Sequence, residues 1–167
     1  YTKKIDLLPA DGSRPRCTLM EAPNGKLYGI TTEGGINNKG VIFEYDYSTN
    51  VYTRKFDFNI TTGSPVGLSL SLAGNGKLYG STSVDNATGT IFEYDYITNT
   101  YTPKINLVTA DGLFVRDPML EAPNGKLYGV ASAGGLNGSG VIFEYDYITN
   151  TYTKKVDLSA LSVATPS

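Results

Sequence analysis

The sequence predicts an all-β fold built from a unit of about 50 residues, each unit a sheet of four short antiparallel strands. Three observations carry this. One stretch is written three times: residues 21–47, EAPNGKLYGITTEGGINNKGVIFEYDY, return at 72–96 as LAGNGKLYGSTSVDNATGTIFEYDY and at 121–147 as EAPNGKLYGVASAGGLNGSGVIFEYDY. A Tyr-Thr pair opens at Tyr1, Tyr52, Tyr101 and Tyr152, and fixes the period. Finally, 19 Gly, 8 Pro and 13 Tyr with plentiful Thr favour strands joined by tight turns over helices.

Taken in order, residues 1–7, YTKKIDL, alternate as a strand does, with equivalents YTRKFDF, YTPKINL and YTKKVDL. Ile5, Phe56, Ile105 and Val156 hold one apolar place and Leu7, Phe58, Leu107 and Leu158 the next, two residues on and so on the same face. The Lys and Arg residues before them are expected to lie towards water on an edge strand, and Pro103 supports an edge because proline cannot donate to a ladder. A Gly- and Pro-bearing loop follows, then a short inner strand at 18–21, 68–72 and 119–121. Asn-Gly at 24–25, 75–76 and 124–125 reads as a two-residue hairpin turn. The return strand, KLYG, carries a glycine at 29, 80 and 129 that predicts close approach of a neighbouring backbone. The next strand, VIFEYD or TIFEYD, has a continuous apolar run suited to cover on both faces. A turn, STN or ITN, leads to the next Tyr-Thr strand.

Composition narrows the chemistry. The 167 residues are 40% apolar and 18% charged with net charge −2, so neither a nucleic-acid partner nor membrane insertion is expected. Without any His and with Cys17 alone, the chain offers no His general base, no imidazole or paired-thiolate metal site and no internal disulfide. We expect no catalytic residue, cofactor or metal, and read Cys17 as a small buried or half-buried thiol. No apolar run reaches membrane-spanning length and no signal peptide starts the chain, which begins at Tyr1 and is read as a mature or excised segment.

Short four-stranded sheets with two apolar faces, repeated, describe β-propeller blades, each covering its faces against its neighbours. The pattern NGKLYGITTEGG…GVIFEYD at residues 24–46 and its two echoes, with the DG…P loop Asp11-Gly12-Ser13-Arg14-Pro15 before it, resembles the GloVer tandem repeats of exported bacterial proteins. The likeness covers residues 1–158; the second repeat departs from it in lacking the Gly-Gly pair. It implies a propeller-like architecture and a secreted or cell-surface setting, and brings no established catalytic residues. The expected division is repeats at about 1–51, 52–100 and 101–151, an outer strand at 152–158, and a linker or disordered tail at 159–167. Four outer strands accompany three complete sets of the others, so one, at Tyr1 or Tyr152, is left over. Three blades are also too few to close a ring, which predicts self-association or further repeats in a longer parent chain.

The two ends of the predicted blades differ. The Asn-Gly and (S/I)-T-N turns are nearly the same in all copies, whereas the opposite loops vary. Tyr28 to Phe43 and Tyr128 to Phe143 are 15 positions apart, but Tyr79 to Phe92 only 13. A rigid frame carrying variable loops suits binding. The candidate contacts are Arg14, Arg16, Asn37, Asn38, Lys39, Asp85, Asn86, Phe114, Arg116, Asp117 and Asn137, with a glycan or a surface protein as the ligand; drift of unconstrained loops predicts the same variability. The Tyr series and the recurring Glu44, Glu93, Glu144 and Asp46, Asp95, Asp146 are read as packing and paired charges within the sheets. The leading expectation is a non-enzymatic binding, adhesion or assembly module. An accessory domain of a larger exported hydrolase and a purely architectural oligomer are the alternatives.

Overall fold

The computed structural model describes residues 2–66, 70–84 and 88–159. These form three antiparallel sheets. In sheet 1, β1 (Met20–Glu21), β2 (Leu27–Ile30), β3 (Val41–Asp46) and β4 (Val51–Asp57) lie in chain order. In sheet 2, β5 (Ser64–Pro65) and β6 (Ser71–Leu72) both pair with β7 (Leu78–Ser83), followed by β8 (Thr88–Asp95) and β9 (Thr100–Val108). Sheet 3 repeats this with β10 (Leu113–Val115) and β11 (Leu120–Glu121) on β12 (Leu127–Ala133), then β13 (Val141–Asp146) and β14 (Thr151–Asp157). The only helical elements among the described residues are single 3-10 turns at Pro9–Asp11 and Thr109–Asp111.

The repeated unit is as the sequence predicts, with five corrections. Residues 2–8 form no strand. Each other Tyr-Thr segment pairs with the strand before it in its own sheet, as Phe56 does with Ile42, whereas residues 2–8 pair with none. The leftover copy is therefore the N-terminal one. The inner strand is broken in two: β5 and β6, and β10 and β11, are separate pieces on one partner, and in sheet 1 the first piece shrinks to a single bridge, Ser13 to Glu33. The hairpin has a three-residue loop. Ala22 N–H donates to Lys26 C=O and Gly25 N–H returns to Ala22 C=O. Gly25 alone takes positive φ, at 73°, while Asn24 uses its side chain, donating to Tyr28 Oη at 3.0 Å and accepting Lys26 N–H at 3.2 Å. Pro23 at the second turn position suits this type I turn with a following bulge.

The fourth correction concerns the outer strand. Ile42 pairs with Phe56 and Phe43 with Arg54, so Lys55 is a bulge residue; Lys104 and Lys155 recur at the same place. These lysines fold back onto carboxylates of the third strand and do not simply face water. Bulges and charges of this kind blunt an edge against stray pairing.

Alternation along β2 and β3 gives each sheet two apolar faces. The first carries Leu27, Phe43, Tyr45 and Tyr52 in sheet 1; the second carries Tyr28, Ile30, Ile42, Phe56 and Phe58. The second face of sheet 1 meets the first face of sheet 2, where Phe56 stacks on Tyr101 at 4.6 Å and 6° and Tyr28 tilts against Tyr96 at 5.3 Å. Sheets 2 and 3 meet in the same way, with Tyr79 against Tyr145 at 5.9 Å and Tyr147 at 5.7 Å. Leu78, Tyr79, Phe92 and Tyr94 of the middle sheet are all buried. Two further bonds fix this second junction: Ser81 Oγ donates to Val115 C=O at 2.5 Å, and Gly74 N–H to Glu121 Oε2 at 2.7 Å.

The strand glycines answer to a ring and not to a neighbouring backbone. A Cβ at Gly29, Gly80 or Gly129 would lie 2.4, 2.5 or 2.3 Å from the ring of the cross-strand Phe43, Phe92 or Phe143. The phenylalanine lies flat over its partner glycine and covers it, as aromatic side chains do in designed sheets. Gly80→Ala should therefore cost about 1–3 kcal/mol in urea unfolding, and adding Phe92→Leu should restore part of it by making room. A Gly80→Ala variant as stable as the parent would remove this explanation.

Candidate functional site

At the end of the sheets opposite the Asn-Gly turns, the loops are held by backbone-level clamps. In sheet 1 both Gly34 and Gly35 take φ near 75°, at 77° and 75°, and Gly35 N–H reaches Pro9 C=O at 2.9 Å. Asp57 Oδ1 accepts Ile36 N–H at 2.7 Å, and Asn37 Nδ2 donates to Phe58 C=O at 3.0 Å. Sheet 3 repeats the set: Gly134 and Gly135 at 75°, Asp157 Oδ1 on Leu136 N–H at 2.7 Å, Asn137 Nδ2 on Leu158 C=O at 3.3 Å. Tyr52 and Tyr152 each donate from Oη to the carbonyl of Asp11 or Asp111 at 2.5 Å and tie down the adjoining 3-10 turn.

Sheet 2 lacks the Gly-Gly pair and instead extends β7 and β8 to the Ser83–Gly89 pairing. The clamp aspartates matter to the loop yet are absent from the residues expected to form a site. A signal for them exists in the sequence: Asp57 and Asp157 accompany the two Gly-Gly repeats, and the repeat without the pair has Asn106 at that place.

The structure sorts the predicted contacts into two groups. Asn37 and Asn137 are clamp residues, and Asn38 accepts Gly34 N–H at 3.0 Å with φ at 51°, so these three hold the loop itself. Arg14 pairs with Glu33 at 2.7 Å. Arg116 lies 5.3 Å over the Phe114 ring and donates from Nε to Ser132 Oγ at 3.3 Å. Arg16, Lys39 and Asp117 are exposed. Asp85 and Asn86 lie outside the described residues. Arg14 bonds within sheet 1 and Arg116 within sheet 3, so among the described residues the predicted contacts do not converge on one point.

Arg14 and Phe114 share an unusual backbone, with φ at 54° and 59° in the left-handed region. Bulky residues adopt it at a cost of about 1–2 kcal/mol. They occupy the same place in their repeats, two residues after the Asp-Gly pair.

The recurring carboxylates are engaged within each sheet. In sheet 3, Tyr128 Oη donates to Glu144 Oε2 at 2.5 Å and Lys126 Nζ to Oε1 at 2.9 Å, while Lys155 Nζ stands 3.5 Å from Oε2. The hydrogen bonds from Tyr128 and Lys126 hold the Glu144 carboxyl down at about 2. In sheet 1 burial works to raise the Glu44 carboxyl, but Lys26, Tyr28 and Lys55 outweigh it and leave it lowered. In sheet 2, Tyr79 donates to Glu93 and Lys77 pairs with Asp95. Asp46, Asp95 and Asp146 also accept backbone N–H groups of the turn that follows them. Paired charge and hydrogen bonding, as expected, account for all six.

One cleft of about 650 Å³ opens on the first face of sheet 1. Phe43, Tyr45 and Tyr52 form its floor, Arg14 and Cys17 stand at its side, and residues 4–7 cross over it. Cys17 is half-buried, its Sγ accepting Ile30 N–H at 3.4 Å, and burial pushes the thiol up, away from thiolate chemistry.

With three twin-faced antiparallel sheets stacked in sequence, the chain belongs to the class of all-β, β-propeller-like folds. Solved structures agree. It is similar to TolB from Acinetobacter baumannii at a TM-score of 0.57 and 17% identity over 82% of this chain. It is also similar to a fungal alcohol oxidase of the AA5 family, in complex with copper, at 0.55 and 18% over 84%. The chain spans 31% and 30% of those proteins, and the likeness concerns the fold. No family profile matches the chain, and no curated protein does.

Two outcomes test the geometry. Because the folded carboxyl of Glu144 titrates at about 2, below its ordinary 4.5, its stabilising contribution is complete above 4.5 and is lost as pH falls through about 2. Glu144→Gln should flatten the fall of melting temperature across that window; an unchanged slope would discount the cluster. Asp157→Ala leaves Leu136 N–H without its acceptor, and should cost about 1–2 kcal/mol and open the 134–140 loop to limited proteolysis.

Proposed function

We propose that the chain is a non-enzymatic propeller-type module of an exported bacterial protein, whose variable loop end binds a glycan or a surface protein. The carrying observation is the strained backbone at Arg14 and Phe114. Two sheets hold a bulky side chain in the left-handed region at equivalent places, where glycine would relieve the cost, and strain kept in this way favours a use for the side chains. The clamps support the same reading, because they make the loop frame rigid through Asp57, Asp157, Asn37 and Asn137 and leave Arg14, Arg16, Lys39, Phe114, Arg116 and Asp117 at its rim. Engagement of Glu44, Glu93 and Glu144 with tyrosine and lysine partners favours a non-enzymatic role. The exported setting rests on the resemblance drawn from the repeat motifs.

A glycan array and a surface-protein pull-down with Arg14→Ala and Arg116→Ala test this. Binding should fall at least about tenfold, equivalent to about 1.4 kcal/mol, with the melting temperature little changed. Absence of any binder, or binding indifferent to both substitutions, would reject the loop-end reading.

A further inference from the structure

The stack of three sheets ends on two apolar faces of a kind that is covered elsewhere in the same chain. On the second face, Tyr28, Ile42 and Phe58 of sheet 1 are 0% exposed and Tyr79, Ile91 and Leu107 of sheet 2 at most 2%. Their equivalents in sheet 3, Tyr128, Ile142 and Leu158, are half-buried. Val130 and Val156 beside them are 48% and 47% exposed. On the first face, Leu78 and Leu127 are 0% exposed under the preceding sheet, whereas Leu27 is only half-buried. Tyr96 is 7% exposed against Tyr28, but its equivalent in sheet 1, Tyr47, is 51% exposed.

What lies over the first face of sheet 1 is a poor fit. Residues 4–7 cross it without filling it, leaving the 650 Å³ cleft, and Ile5 remains 43% exposed. This segment carries the outer-strand motif but pairs with no strand among the described residues, and it lies at the face where the other two sheets carry a whole neighbour.

We propose that a second copy of this chain docks here, the second face of its sheet 3 replacing residues 4–7 on the first face of sheet 1. The occupant is a second copy because the two open faces are repeat images of faces that already meet twice within the chain. Tyr128 of one copy then meets Tyr45 and Tyr47 of the other, as Tyr79 meets Tyr145 and Tyr147. Val156 comes to Tyr52, as Phe56 does to Tyr101. The contact is mutual, so two copies close a ring of six sheets by a twofold axis, within the roughly four to eight that closed propellers use. The inference does not depend on the loop-end reading, since it uses only the flanks of the sheets.

Sedimentation of the full chain over a wide concentration range, without ligand, tests it. The expected result is a species of twice the chain mass. Val130→Lys/Val156→Lys should abolish that species while leaving the circular dichroism unchanged, both residues being half exposed in the single chain. Ile5→Ser/Leu7→Ser, which weakens the hold of the segment over the cleft, should carry the dimer to lower concentration. A monomer in both the parent and Ile5→Ser/Leu7→Ser overturns the proposal. So does a dimer that ignores Val130→Lys/Val156→Lys, and a polymer of growing length would overturn the closed ring.

Discussion

A sheet that is apolar on both flanks is stable in water only when each flank is covered, and most features of this chain follow from that requirement. Fully burying one large apolar side chain contributes about 1.5–3 kcal/mol, and the middle sheet alone buries Leu78, Tyr79, Ile91, Phe92, Tyr94 and Leu107. No single sheet of this size could retain that gain, because half of its apolar residues would face solvent. The repeat is thus the smallest unit of sequence but not the smallest unit of stability. Cooperation resides at the junctions, where Phe56 on Tyr101 and Tyr79 on Tyr147 register one sheet against the next.

The polar residues serve that stacking. Tyr28 and Tyr79 each put the ring into a junction and the hydroxyl onto a glutamate at the margin, so one side chain satisfies both apolar contact and hydrogen bonding. The bulge lysines reach the same glutamates and place positive charge along an outer edge that would otherwise offer unpaired backbone groups. Aspartates at the strand ends take up the turn amides. The carboxylates of these sheets are thus engaged in holding strands and turns together, and the proposed function is placed at the variable end of the loops.

The strand pattern was legible because it is period-two and written three times. Even the excess of outer strands could be counted, although composition alone could not say which terminus held the unpaired one; pairing order decided it. Features made by contact across strands were harder to read. The glycine at 29, 80 and 129 announced a close neighbour, but only the register with Phe43, Phe92 and Phe143 identifies that neighbour as a ring. The three-residue hairpin loop was masked by the strength of the Asn-Gly signal, with Pro23 as the overlooked clue. At the loops, side-chain type suggested exposed contacts, and Arg14, Arg16, Lys39, Arg116 and Asp117 do lie exposed. It did not reveal that Asn37, Asn38 and Asn137 hold backbone groups of their own loops, because an asparagine that caps backbone groups looks in sequence like one that awaits a ligand.

The bond from Gly74 to Glu121 carries a consequence for how such a chain can be rearranged. The other two hairpins have Pro23 and Pro123 at that place, and proline has no amide hydrogen to give. The second module is therefore matched to the third: a Pro-bearing module in its place would leave the Glu121 carboxylate with Tyr147 as its remaining donor, beside a pyrrolidine ring. Three look-alike pieces are thus not interchangeable, because a single amide hydrogen sets the second apart from the others.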